Sequence, residues 1–185
     1  MNKEEAVSIS RNIGRSDTMH HLDLEWLWDH ACRYKYIAEV GVFVGRSTTL
    51  MARACAQNGG VVFAIDTFSG SMDIRDYTFG QKREEICAEF LKNTAGLDNI
   101  VPVICDSARA AEYLPMVDMA FIDADHRTEA VKRDAVAWMG RTKYLLCGHD
   151  ANLGSVRDAV VELFGEQALI PGSALWKVGL GGVNE

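Results

Sequence analysis

From Tyr36 almost to the end of the chain, short apolar runs alternate with segments whose apolar residues recur at three and four positions. That change of period from one segment to the next is the pattern of strand, helix, strand units. The runs predict strands at Tyr36 to Val40, Val61 to Asp66, Ile100 to Cys105, Asp118 to Asp123 and Tyr144 to Cys147. They are too uniformly apolar to leave a face in water, so both faces are expected to be covered. The covering stripes are Leu50, Met51, Ala54 and Cys55; Ile86, Phe90 and Leu91; Val131, Ala135 and Trp138; and Val156, Ala159, Val160, Leu163 and Phe164, with Gly165 placed to cap the last. The expectation is an α/β fold, a doubly wound sheet, mostly parallel, with helices on both faces. Ala168 to Leu180 carries Pro171 and Gly172 between two short apolar runs, which predicts a hairpin and an antiparallel C-terminal edge.

Ahead of the first strand, Leu24, Leu27, Trp28 and Ala31 share a helical face, with Ser16 or Asp17 placed to cap that helix. Residues 1–33 therefore read as a helical cover, 34–180 as the core and 181–185 as a tail, all in one domain, since no linker, repeat or charge block divides the chain. At 185 residues, 48% of them hydrophobic, the chain can build its core without staples. The 26 acidic against 19 basic side chains, net charge -7, disfavour wrapping nucleic acid or lying on anionic lipid, and point to small-molecule chemistry. Five cysteines, no two closer than eighteen positions, suggest neither zinc ligands nor a disulfide framework, hence buried thiols in a reducing compartment. Glu4 and Glu5 stand where an export signal would need basic residues, and no apolar stretch approaches the roughly 20 residues of a membrane span. A soluble, cytoplasmic protein is expected.

The chemistry begins after the first strand, at Glu39-Val-Gly41-Val-Phe43-Val-Gly45-Arg-Ser47, which runs into a helix. Gly41 and Gly45 let the backbone bend and approach a ligand, and free amides at a helix start favour a carboxylate or phosphate. Alone, the pair is weak evidence and could also make a tight turn that holds nothing. Asp66, twenty-one residues after Gly45 and closing the second strand, adds an acceptor for ribose hydroxyls. Phe43 occupies the position at which a dinucleotide turn needs glycine to admit a pyrophosphate, and no phosphate-cradling G-x-x-x-x-G-K-[ST] segment is present. A ligand with a ribose and no phosphate fits best.

The order E-x-G-x-x-x-G-x-S, Asp66, Cys105-Asp106-Ser107, Phe121-Ile-Asp123-Ala-Asp125-His126 and Gly148-His149-Asp150 resembles the class I S-adenosylmethionine-dependent methyltransferases, and within them the small-molecule O-methyltransferases of the catechol and macrolide-sugar type. The resemblance spans about Tyr34 to Leu180 and implies a single-domain Rossmann-like fold. It implies that Gly41, Phe43 and Gly45 lie against the methionyl part of S-adenosylmethionine, that Ser47 bonds its carboxylate and that Glu39 supports the turn. Asp66 would take the ribose and Asp123 the amine and sulfonium region; Asp106 and Ser107 would lie near the adenine or simply cap a short helix. Asp123, His149 and Asp150, at the ends of the fourth and fifth strands, could hold a divalent ion such as Mg²⁺ or Mn²⁺. The family more often has two acids, or an acid and an amide, where this chain has His149-Asp150, and His149 also suits a base or a hydrogen-bonding rim residue. His126 falls where catechol-type relatives place a catalytic lysine and is the leading candidate for the base, with helix initiation as its plainer role. The implied reaction is methyl transfer to a hydroxyl oxygen of a small molecule, with Asp123 and His126 at its centre. A non-catalytic S-adenosylmethionine sensor, a nicotinamide-dependent oxidoreductase and a metal-containing relative resembling the cephalosporin hydroxylases stand as alternatives. The acceptor is expected to meet Arg11 to His30 and Ser69 to Gly80, with Arg11, Arg15, Arg75 and Tyr77 as contacts or solvated loop residues. Trp26 and Trp28 would suit a homodimer face.

Overall fold

Successive side chains on a strand point to opposite faces, so a strand apolar at every position needs a layer on each side. The computed structural model describes residues 1–14, 19–69 and 83–181 and holds six strands among them, of which the inner ones follow that rule. The six are β1 (Tyr36–Val40), β2 (Val61–Ile65), β3 (Ile100–Val103), β4 (Val117–Ile122), β5 (Thr142–Gly148) and β6 (Trp176–Gly179). The order across the sheet is β3-β2-β1-β4-β5-β6; the first five are parallel and β6 is antiparallel to β5. Ile37, Met119, Phe121, Leu145 and Cys147 enter one core, while Ala38, Val40, Ala120, Ile122 and Leu146 enter the other.

The first core is covered by α1 (Lys3–Arg11), α2 (His21–Ala31) and α3 (Arg46–Cys55); the second by α5 (Ser107–Tyr113), α6 (Thr128–Met139) and α7 (Gly154–Phe164). A third cluster gathers Val42, Val44 and Phe68 around Ile86 and Phe90 of α4 (Arg83–Asn93). The stripes on α3, α6 and α7 are buried or pack against these cores, and Gly165, at φ 80°, follows α7 as its cap. No helix among the described residues is long and apolar enough to cross a membrane.

The structure refines or departs from expectation at several points. β3 is an edge strand whose Val101 is exposed, and Pro102, which cannot donate to a ladder, is tolerated there. Leu91 is exposed, because the α4 stripe is only as wide as Ile86 and Phe90. The C-terminal hairpin contracts to one strand, β6, and a single bridge from Leu169 to Trp176. The segment 1–11 contains α1, capped by Asn2, whose side chain accepts from the Glu5 amide at 2.9 Å. Helix α2 is capped by His20, whose ring accepts from the Leu22 amide; Ser16 and Asp17 lie outside the described residues, as do Arg15, Arg75, Tyr77 and the stretch from Ser69 to Gly80 apart from Ser69 itself. Trp28 is buried between α2 and the sheet, and Trp26 stacks on His30 at 3.7 Å.

Candidate functional site

In an open α/β sheet the ligand crevice lies beyond the carboxyl ends of the strands, where the order reverses, here between β1 and β4. A cavity of about 980 Å³ opens there, bounded by the glycine turn after β1 and by the ends of β2, β3, β4 and β5. Gly41 (φ 84°) is required by the packing of the turn itself: a Cβ on it would lie 2.1 Å from the carbonyl oxygen of Asp123. Gly45 (φ 89°) caps α3 in the left-handed conformation, with the Phe90 ring 3.1 Å from where its Cβ would be. Phe43, Phe68 and Asp150 are the non-glycine residues with positive φ among the described residues, and all three line the cavity. Strain of that kind, of order 1 kcal/mol or more per residue, collects where backbone is held for a ligand.

Asp66 ties the turn together. Its Oδ2 accepts from the amides of Val42 (2.9 Å) and Phe43 (3.0 Å), and its Oδ1 from Phe68 (2.7 Å). One lone pair on Oδ1 is left for a ligand hydroxyl. Beneath the turn, Glu39 has no exposed surface, and the Ser47 hydroxyl donates to its Oε1. Burial pushes its pKa up to about 8, so it is largely a neutral acid at neutral pH.

At the end of β3, Asp106 caps α5 by accepting from the Arg109 amide (3.3 Å) and pairs with Arg133 (3.0 Å), so the capping role expected of it is realised. Ser107 Oγ accepts from Trp138 Nε1 at 3.0 Å. Arg133 also meets Asp134, a buried carboxyl on α6 that lines the same end of the cavity and whose pKa is raised by burial.

At the other end, five side chains alternate acid and imidazole. Asp23 Oδ2 lies 3.4 Å from His149 Nε2, His149 Nδ1 is 3.2 Å from Asp150 Oδ1, Asp150 Oδ2 is 2.9 Å from His126 Nε2, and Asp123 Oδ1 is 3.9 Å from that same nitrogen. Burial alone would lower both histidines; the flanking carboxylates outweigh it and raise each to about 10. Burial raises Asp123, with Asp150 as a like charge beside it, whereas the bonds from both imidazoles hold Asp150 well below the carboxylate range. Asp125 is engaged by Arg127 at 2.9 Å.

Of the expected trio Asp123, His149 and Asp150, the structure brings the two acids together with His126. The ligating atoms that converge, all within 4.8 Å of one another, belong to Asp123, His126 and Asp150. His149 and Asp150 follow the end of β5 and touch each other, but the far ring nitrogen of His149 is given to Asp23 on α2, whereas the Oδ2 of Asp150 faces His126. Two carboxylates and an imidazole at that spacing fit a divalent ion. Sequence reasoning did not find Asp23 or Asp134. Asp23 pairs across 126 positions, with no local signal, while Asp134 on the covered face of α6 was legible as an acid one residue before Ala135 of the apolar stripe.

The family model described as a methyltransferase domain matches residues 38–149. The fold is similar to that of an SAH-bound methyltransferase from Podospora anserina (12% identity, 94% of this chain and 85% of that one, TM-score 0.67). It is also similar to the O-methyltransferase TomG from Streptomyces achromogenes, involved in tomaymycin synthesis and solved with SAM (16% identity, 90% and 81%, TM-score 0.64). A SAM-dependent O-methyltransferase from Thermotoga maritima aligns over 90% of this chain and 57% of its own length (16% identity, TM-score 0.63).

Proposed function

Since this chain belongs to the family of methyltransferase domains, we propose that it transfers the methyl group of S-adenosylmethionine to a hydroxyl oxygen of a small molecule. One observation carries the reading: a glycine turn that presents Phe43 where a pyrophosphate would have to pass opens onto a cavity ringed by carboxylates at the ends of β2, β4 and β5. Acidic walls in a partly dry cleft favour a cationic ligand without phosphates. The cofactor supplies a methyl group on a sulfonium, which is its own leaving group. What remains for the protein is alignment and removal of water, and effective molarities for well-held reactants reach on the order of 10⁵ M or more.

In this reading the backbone of the turn at Gly41, Phe43 and Gly45 lies against the methionyl end, and the Ser47 hydroxyl turns from Glu39 to its carboxylate when the cofactor is bound, with Glu39 behind them. Asp66 takes the ribose with its spare lone pair, Asp106 and Ser107 border the adenine, and Asp123 faces the amine and sulfonium. A divalent ion, Mg²⁺ or Mn²⁺, held by Asp123, His126 and Asp150 would acidify the acceptor hydroxyl and orient it. His126, pressed between two carboxylates, keeps a proton at neutral pH and is no base in that state. A cation beside Asp123 and Asp150 would weaken their hold on that proton, so that the imidazole would serve as a ligand to a divalent ion or, without one, as the acceptor of the hydroxyl proton.

Incubating the protein with methyl-labelled S-adenosylmethionine, Mn²⁺ and a metabolite extract, followed by mass spectrometry, tests the reaction. Label on an oxygen of a small product is expected; label only on nitrogen or carbon, or none with the cofactor shown to be bound, would contradict it.

A further inference from the structure

Most of α2 does what a covering helix must: Leu24, Leu27, Trp28 and Ala31 are buried against the sheet. Asp23 does not fit that task. The residue is 5% exposed and lines the cavity. Both oxygens are met by residues far along the chain, Oδ1 by the Ser173 hydroxyl at 2.6 Å and Oδ2 by His149 Nε2 at 3.4 Å. Burying a carboxylate costs several kcal/mol, and an apolar residue of similar volume would cover the sheet as well or better. Packing therefore gives no reason for an acid here.

We propose that Asp23 is a positioning residue of the transfer site: it fixes the ring of His149, which fixes the carboxylate of Asp150, which in turn holds His126. His149 gives Nε2 to Asp23 in a hydrogen bond of 3.4 Å, and its Nδ1 lies 3.2 Å from Asp150 Oδ1 as an ion-pair contact, so the ring is held between two carboxylates. Asp150 is likewise divided, Oδ1 to His149 and Oδ2 to His126 at 2.9 Å, and releasing the His149 ring releases the carboxylate that faces the acceptor. Ser173, in the connection leading to β6, anchors Asp23 from the C-terminal edge. Segments on both flanks of residues 38–149 thus meet at the reacting end of the cavity. Partners behind a ligating group orient it in this way. That the site transfers methyl groups rests on the functional reading above; the coupling of Asp23 to His126 stands on the geometry.

The test uses the full chain labelled with ¹⁵N-histidine, the ring signals of its five histidines being assigned from His149→Gln and His126→Gln. Asp23→Asn is expected to move the ring resonances of both His149 and His126 and to leave His30 in place. His30 lies on α2 itself, stacked on Trp26, and reports any distortion of the helix. Ser173→Ala, which leaves α2 untouched, should move the same two signals. An unmoved His126 in both variants, or a His126 shift only in company with His30, would overturn the proposal. In the labelled-transfer assay Asp23→Asn should lower kcat with the KM for S-adenosylmethionine unchanged, and a change in that KM alone would count against a positioning role. Absence of heat on titrating the wild type with S-adenosylhomocysteine would sink the methyl-transfer reading separately, whatever the ring spectra show.

Discussion

Replacing Glu39 by glutamine removes a proton-binding group that is wholly buried beneath the glycine turn. Burial lifts its pKa from 4.5 to about 8, with the Ser47 and Thr48 hydroxyls drawing it part of the way back. Unfolded, the carboxyl ionises near 4.5; folded, it keeps its proton until about 8. Between those values the folded state binds more protons, so stability falls as pH rises, and the fall ends once the folded group has ionised. One pKa unit corresponds to about 1.4 kcal/mol, so going from about pH 6 to about pH 8.5 removes roughly 2 kcal/mol through this group. Glutamine has the same shape, keeps an Oε1 to accept from Ser47 and has no proton to lose. His126 and His149, raised to about 10, also make stability fall over this range, but they do so in both proteins and cancel in the difference. Urea unfolding of wild type and Glu39→Gln at the two pH values is the assay. The variant is expected to gain roughly 2 kcal/mol on the wild type between about pH 6 and about pH 8.5. An equal stability gap at both values would refute the neutral, buried acid.

Asp66→Ala leaves three turn amides without their acceptor and should cost about 2 kcal/mol or more in urea unfolding while abolishing S-adenosylhomocysteine binding by calorimetry; undiminished affinity would remove Asp66 from the ribose. Gly41→Ala forces a Cβ into the Asp123 backbone at positive φ and should destabilise by at least about 3 kcal/mol, so an unchanged Tm would contradict the close approach of the two loops. Mn²⁺ titration of His126→Gln should show affinity reduced about tenfold or more, and full affinity in that variant would return His126 to the role of base alone.

The sheet was legible because the burial of its inner strands is near total. β1 falls where the run Tyr36 to Val40 places it, and β4 is buried at all six positions. The misjudged elements lie where burial is partial: β3 has the apolar look of an inner strand but sits at the edge, and Leu91 extends a stripe beyond what the sheet can cover. Helix α1 had its signal in Asn2 and Glu5, a cap and an acid three residues on, ahead of the buried Ala6 and Val7. At the site, the glycine turn and Asp66 were legible because short spacing fixes their relation. The exchange of His149 for His126 was not, since it depends on which way adjacent side chains leave the end of β5. Asp23 lies beyond such reasoning altogether, as only the packing of α2 against the sheet brings it to His149.

The most direct measurement is calorimetric titration of the full chain with S-adenosylmethionine and, in parallel, with NADH. Saturable heat with the sulfonium nucleoside, lost in Asp66→Ala, and none with the dinucleotide is the expected result. Tight NADH binding with no response to S-adenosylmethionine would contradict the pocket that Phe43 and the surrounding carboxylates define.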